Sequence, residues 1–177
     1  VHGGALYTKL LQIASGAVYN DDGDYSAVAS ERYELVLDLV EQRKHSVVFY
    51  LWEHQLQELL TETKKRKLAH AVWDPDKPGI ADEYQKGLYQ VLFAHPASAG
   101  HGLTLTKGTA TIWASPTPNL EWFSQGKKRI HRIGQNEATE TIVVIAENTR
   151  DANVFDSLMR KDAKMTSLLE DLKCSKL

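Results

Sequence analysis

The sequence predicts a doubly wound α/β domain, a parallel β-sheet with helices on both faces. Two observations carry that expectation. Five short β-prone runs, at 46–52, 67–74, 89–95, 109–115 and 139–146, alternate with amphipathic helical segments. The 177 residues are 42% apolar and 25% charged, which suits one globular domain with a substantial core rather than a disordered chain. No internal repeat or low-complexity linker interrupts the pattern.

Each element has a local signature. Residues 5–15, "ALYTKLLQIAS", place Leu6, Leu10, Leu11 and Ile13 near helical spacing, and Gly16 would end that helix. Residues 19–26, "YNDDGDYS", read as a connecting turn, so 1–25 is expected to be an N-terminal helix and its connection. Ser30 precedes "ERYELVLDLVEQR", whose apolar stripe predicts a helix. Glu31 and Glu34 suit its start, and Arg43 and Lys44 its end. "SVVFYLW" is a compact run of the kind found in buried parallel strands. Residues 53–65 form a second amphipathic helix, "KLAHAVWD" a strand, "IADEYQKGL" a short helix and "YQVLFAH" a strand. After the loop "PASAGHGLTLTKG" come the strand "TATIWAS", the helix "NLEWFSQGKK", the strand "TETIVVIA" and a closing helix over 151–173. Ligands of such folds sit beyond the carboxyl ends of the strands. That rule singles out loops beginning near Trp52, Asp74, His95, Ser115 and Glu147.

Bulk properties narrow the function. The formal net charge is -2, so any nucleic-acid contact must come from local clusters. Cys174 is the single cysteine, which excludes an internal disulfide and fits a reducing compartment. No run is long enough to span a bilayer and the first residues lack a signal-peptide pattern, so no membrane partner is expected. The chain begins with Val rather than Met, which fits a piece of something longer and equally fits processing or cloning. The seven histidines are scattered, without partner cysteines or an H-E-x-x-H pattern, so no metal site is expected. No G-x-S-x-G motif or Cys–His nucleophile is present.

Three stretches carry charge or small residues in patterns that bear on chemistry. In "HPASAGHGLTL", Ser98, Gly100 and Gly102 would let backbone amides approach an anion, and Ser98 and Thr104 add hydroxyls. A tight turn that needs small residues for packing reads the same way. The stretch matches neither the phosphate loop G-x-x-x-x-G-K-[ST] nor the dinucleotide pattern G-x-G-x-x-G, so the chain lacks a complete nucleotide cradle. In "QGKKRIHRIGQ", Arg129 and Arg132 lie at i and i+3 and could emerge on one side of a helical turn. Paired guanidiniums suit a transferring phosphoryl group, and a solvated basic face reads the same way. "KKRK" at 64–67 is either a phosphate-backbone contact or the cationic end of the preceding helix. Trp113 and Trp122 fit base stacking or the core.

Taken together, "SAGHGLTL", a strand, and then "SPTPNLEWFSQGKKRIHRIGQ" closely resemble the second half of superfamily-2 helicases and translocases of the Swi/Snf type, most of all the smaller phage-type members. "LYTKLLQIASGAVY" and "VVFY" resemble the same lobe in kind and order, so the resemblance covers nearly the whole chain. It implies a RecA-like, three-layer α/β/α domain over 1–177 that pairs with an N-terminal lobe of the same parent chain. ATP would lie between the lobes, with Mg held mainly by the other one. Arg129 and Arg132 would reach the γ-phosphate, with Gln125 opening that motif. Gly102 and Thr104 would lie near the nucleotide. Ser98, Gly100, Trp52 and His54 would contact a nucleic-acid backbone, DNA being expected. Lys128 and Thr104 depart from the family, which commonly has an acid and Asn there. The resemblance further implies a monomer in the cytoplasm of a bacterial or phage-infected cell, a nucleus also being open, and a domain inactive alone. The alternative is a degenerate lobe acting as a non-catalytic nucleic-acid or protein binding module.

Overall fold

A computed structural model describes residues 3–20, 22–100 and 103–174. Five strands form one parallel sheet: β3 (Ser46–Phe49), β4 (His70–Val72), β5 (Val91–Ala94), β6 (Ala110–Trp113) and β7 (Glu140–Val143), in the spatial order β4-β5-β3-β6-β7. Val48 of the central strand lies opposite Phe93 on one side and Ile112 on the other. Every residue of β3, β5 and β6 is buried, whereas the edge strands β4 and β7 are half exposed. This is the signature of a sheet covered on both faces, and it explains why the central runs are continuously apolar.

Alternate side chains feed two cores. On one face Val48, Phe93 and Ile112 meet Val36, Leu37 and Val40 of α2 (Glu31–Glu41), and Leu56 and Leu59 of α3 (Glu53–Arg66). On the other, Val47, Phe49, Leu92 and Trp113 meet Tyr84 of α4 (Gly79–Gln85), Phe123 and Ile130 of α5 (Leu120–Ile130), and Leu158 of α6 (Arg150–Cys174). The result is a three-layer α/β/α arrangement. Among the described residues no helix is long and apolar enough to cross a membrane.

The N-terminal region differs from the sequence expectation. α1 spans Gly3–Ala14, and Gly16, at φ +102°, turns the chain after it. The next segment is an antiparallel hairpin rather than a bare connection, with β1 (Ala17–Tyr19) paired to β2 (Tyr25–Ala27) and Tyr19 opposite Tyr25. These short strands lie mostly outside the core and flank a turn-rich stretch, so no apolar run marks them in the sequence.

Two buried features fix how the layers meet. Arg32, at the start of α2, donates to the carbonyls of Ala114 (2.6 Å), Val144 (3.0 Å) and Ala14 (2.8 Å), and to the Asp151 carboxylate (2.5 Å). One guanidinium thus joins the residues after β6 and β7 to the ends of α1 and α6. Gly126 seats α5 on the sheet. A Cβ there would lie 2.7 Å from Trp113 Cζ2 and 2.9 Å from Phe49 Cε2. In the "KKRK" segment, Arg66 is held by Asp38 (2.6 Å), Glu41 (3.0 Å) and Glu62 (3.0 Å), so it ties α3 to α2 rather than presenting a bare cation. Trp113 is fully buried and belongs to the core.

Replacing Arg32 by Ala strands the buried Asp151 carboxylate and is expected to cost about 3–5 kcal/mol in urea unfolding. Gly126→Ala is expected to cost about 1–3 kcal/mol by overpacking the α5 seat. An unchanged unfolding midpoint in Gly126→Ala would mean that α5 slides freely on the sheet.

Candidate nucleotide and nucleic-acid interface

The connection from β5 to β6 leaves the sheet at its carboxyl edge and must re-enter at its amino edge, because the strands are parallel. The last described part of that connection, 103–109, returns to the amino edge, where the Thr109 amide donates to the His45 carbonyl (3.1 Å). α5 also starts after the carboxyl end of β6 and runs back, so its last turn meets the far half of that connection. Asn119 caps its start by accepting from the Trp122 amide (3.1 Å). The helix ends at Ile130, and His131 takes a non-helical conformation. Arg129 therefore sits in the last turn and Arg132 beyond it. The two nevertheless converge. Arg129 Nη1 donates to the Leu103 carbonyl at 3.1 Å, and Arg132 Nη1 donates to the same oxygen at 3.3 Å and to Thr104 Oγ1 at 2.9 Å.

Their settings differ. Arg129 is 9% exposed, whereas Arg132 and Thr104 are open to solvent. Burial first, and then the like charge of Arg132, lower the Arg129 guanidinium below its ordinary value. A guanidinium stays charged in proteins. Arg32, Arg43 and Arg66 are each answered by carboxylates. The oxygens that receive Arg132 are neutral.

A brace that the sequence alone does not assign holds this corner. The Gln135 amide nitrogen shares its two N–H groups among the carbonyls of Thr106 (3.0 Å), Gly108 (2.9 Å) and Ile130 (3.2 Å), and its oxygen accepts from the Glu137 amide (2.9 Å). The Leu105 amide donates back to the Arg129 carbonyl (2.9 Å). The final Gln of the motif is visible in the sequence, but its acceptors lie up to 29 residues away.

The carboxyl edge carries the other candidates. Ser98 opens a 3₁₀ turn, Ser98–Gly100, with its hydroxyl donating to the His95 carbonyl (2.9 Å) and its own carbonyl accepting from Trp73 Nε1 (3.2 Å). Gly102 lies outside the described residues. Trp52, partly exposed, borders a cleft of about 330 Å³ together with His95, Pro116, Pro118 and Trp122. Burial lowers the His95 pKa, opposed by a hydrogen bond with the Leu51 backbone, so the cleft presents a neutral imidazole. Gln55 accepts from the amides of Leu51 (2.8 Å) and Trp52 (3.3 Å) and donates to Ser115 Oγ (2.6 Å). The amides leading into α3, where a phosphate loop would cradle its anion, thus face a side chain of the same protein. Gln125 bonds to Glu121 (2.9 Å) and faces a groove between α5 and α6. It makes no described contact with Thr104 or the arginines. Among the described residues no three His, Cys, Asp or Glu side chains are grouped to hold a metal ion.

No protein-family model matches the chain. It is 32% identical over 174 residues to putative protein p41 of Acyrthosiphon pisum secondary endosymbiont phage 1, covering 93% of this chain and 37% of that protein. Over 112 residues it is 27% identical to the Caenorhabditis elegans homolog of SWI/SNF-related matrix-associated actin-dependent regulator of chromatin subfamily A-like protein 1, covering 60% of this chain and 16% of that one. The C-terminal part of the Fun30 ATPase domain superposes with a TM-score of 0.67 at 16% identity, over 80% of this chain and 52% of that chain. In fold, the chain is similar to the C-terminal part of that ATPase domain. It spans little more than a third of the phage relative's length.

One assignment in this lobe is corrected. His54 is completely buried, so its imidazole cannot reach a nucleic-acid backbone. Ser15 spends its only hydroxyl proton on the Gln12 carbonyl (2.7 Å), so His54 Nε2 donates to Ser15 Oγ (2.9 Å). The Tyr19 hydroxyl, which accepts from the His54 amide (3.0 Å), then donates to Nδ1 (3.2 Å). His54 therefore tethers α1 and the hairpin to α3. Burial pushes its pKa down to about 4. The neutral ring is the folded form, so stability is expected to fall as pH drops from about 6.5, where the unfolded histidine protonates, toward about 4, by up to about 3 kcal/mol in all. Urea midpoints of the lobe and of His54→Gln across that range check this. Parallel curves would remove His54 as the cause.

Proposed function

We propose that this lobe is the second half of an ATP-driven nucleic-acid motor, and that Arg129 and Arg132 complete an ATP site whose phosphate loop and Mg ligands belong to an N-terminal lobe of the parent chain. The observation that carries this reading is the pairing of a solvent-facing Arg132, received by neutral oxygens, with a buried Arg129 on the same carbonyl. Two cations held together suit the charge that develops on a transferring phosphoryl group. The engaged amides before α3 and the sequence's lack of a phosphate loop fit a lobe that completes an ATP site without housing the nucleotide. Thr104, hydrogen-bonded to Arg132, would meet the nucleotide, while Trp52, Ser98 and Gly100 would contact a DNA backbone along the carboxyl edge. Such contacts make binding largely independent of sequence and sensitive to salt. Lobe closure on ATP and reopening after hydrolysis would then advance the grip along a strand. The phage relative supports a setting in a phage-infected bacterial cell.

ATP turnover by the full-length parent, with and without DNA, tests the reading. Arg132→Ala is expected to lower DNA-stimulated kcat by about 10³-fold or more with an unchanged circular dichroism spectrum. Turnover indifferent to Arg132 would return the segment to a basic surface and favour a binding module.

A further inference from the structure

We propose that Gln135 is a positioning residue for the arginine pair, acting through the backbone of the 103–108 loop rather than by touching a ligand. The inference rests on the reading of Arg129 and Arg132 as phosphate-facing groups. Both guanidiniums donate to the Leu103 carbonyl oxygen, and Arg132 also to Thr104 Oγ1 on the same loop. That loop has no regular secondary structure, so something else must fix it. The Leu105 amide, bonded to the Arg129 carbonyl, fixes one point. Gln135 supplies the others, donating to Thr106 and Gly108 on the loop and to Ile130 at the helix end. Its carboxamide oxygen turns the chain beyond through the Glu137 amide. Arg132 lies between Ile130 and Gln135, both anchored, so its Cα has little freedom to drift. Helix end, the turn bearing Arg132 and the loop are thereby one unit. The chemistry at the brace is specific: three backbone carbonyls converge on one side chain, and only a donor satisfies them.

Two variants of the full-length parent separate positioning from bulk stability. Gln135→Glu keeps the shape but presents oxygens to three carbonyls. Gln135→Lys keeps a donor at the brace, with three N–H groups in place of two, and gives up the bond from Glu137. The expected result for the Glu variant is a kcat for ATP lowered about 10²-fold, as for groups misplaced by about 1 Å, with little change in KM or melting temperature. The Lys variant should recover most of that loss. Hydrogen exchange at the Leu105 amide should quicken in the Glu variant and return toward the parent rate in the Lys variant. Parent-like kcat and a protected Leu105 amide in Gln135→Glu would overturn the proposal. So would a kcat loss that follows global unfolding, or one that Lys fails to relieve. If Arg132→Ala leaves turnover intact, the motor reading fails by itself. The exchange rate at Leu105 still decides whether Gln135 braces the loop.

Discussion

The Arg32 guanidinium is the knot of this fold. It is nearly removed from water, and its charge is met by Asp151 and three backbone carbonyls. A buried pair of this kind gains little over an apolar replacement but cannot lose one partner cheaply. Its value lies in geometry. The residues after β6 and β7 carry carbonyls that no neighbouring strand receives, and the start of α6 and the end of α1 must come together over them. A short apolar side chain would leave the three carbonyls without this donor and the Asp151 carboxylate with the Ala146 amide in place of a charge. Once Arg32 is in place, the path of the chain leaving β6 is set, and with it the point from which α5 begins its return.

That return creates a division of labour between the two edges of the sheet. Trp52, Ser98 and the cleft under Trp122 lie at the carboxyl edge, where ligands of open α/β sheets are expected. The arginines lie at the opposite end, since α5 carries them back toward the start of β7. The segment from His95 to Gly108 joins the two, beginning beside the cleft and ending under Arg129 and Arg132. Its ends are tied to rigid elements.

Much of the architecture was legible in the sequence, and for a physical reason. A strand covered on both faces must be continuously apolar, so "SVVF", "VLFA" and "ATIW" announce themselves, as do the amphipathic helices between them. The hairpin at 17–27 was hidden because its short strands lie mostly outside the core and flank a turn-rich stretch, so no apolar run marks them. His54 misled because its position in a loop-to-helix junction says nothing of the Ser15 and Tyr19 that enclose it. Gln55 and Gln135 escaped for a related reason. Glutamine is commonplace on a helix or turn, and its meaning here comes from carbonyls, amides and a hydroxyl that only folding brings near. Arg129 and Arg132 were legible as a charged pair, but their shared carbonyl was not.

The contact at Gly126 has a mechanical consequence. With no side chain as a spacer, the backbone of α5 rests on the rings of Trp113 and Phe49, and Phe123 locks against Trp113 one turn earlier. Interlocked aromatic surfaces resist shear far more than a layer of flexible aliphatic chains would. The helix bearing Arg129 is thus a stiff strut rather than a sliding piston. Travel of the helix end that carries Arg129 would then be travel of the lobe as a whole.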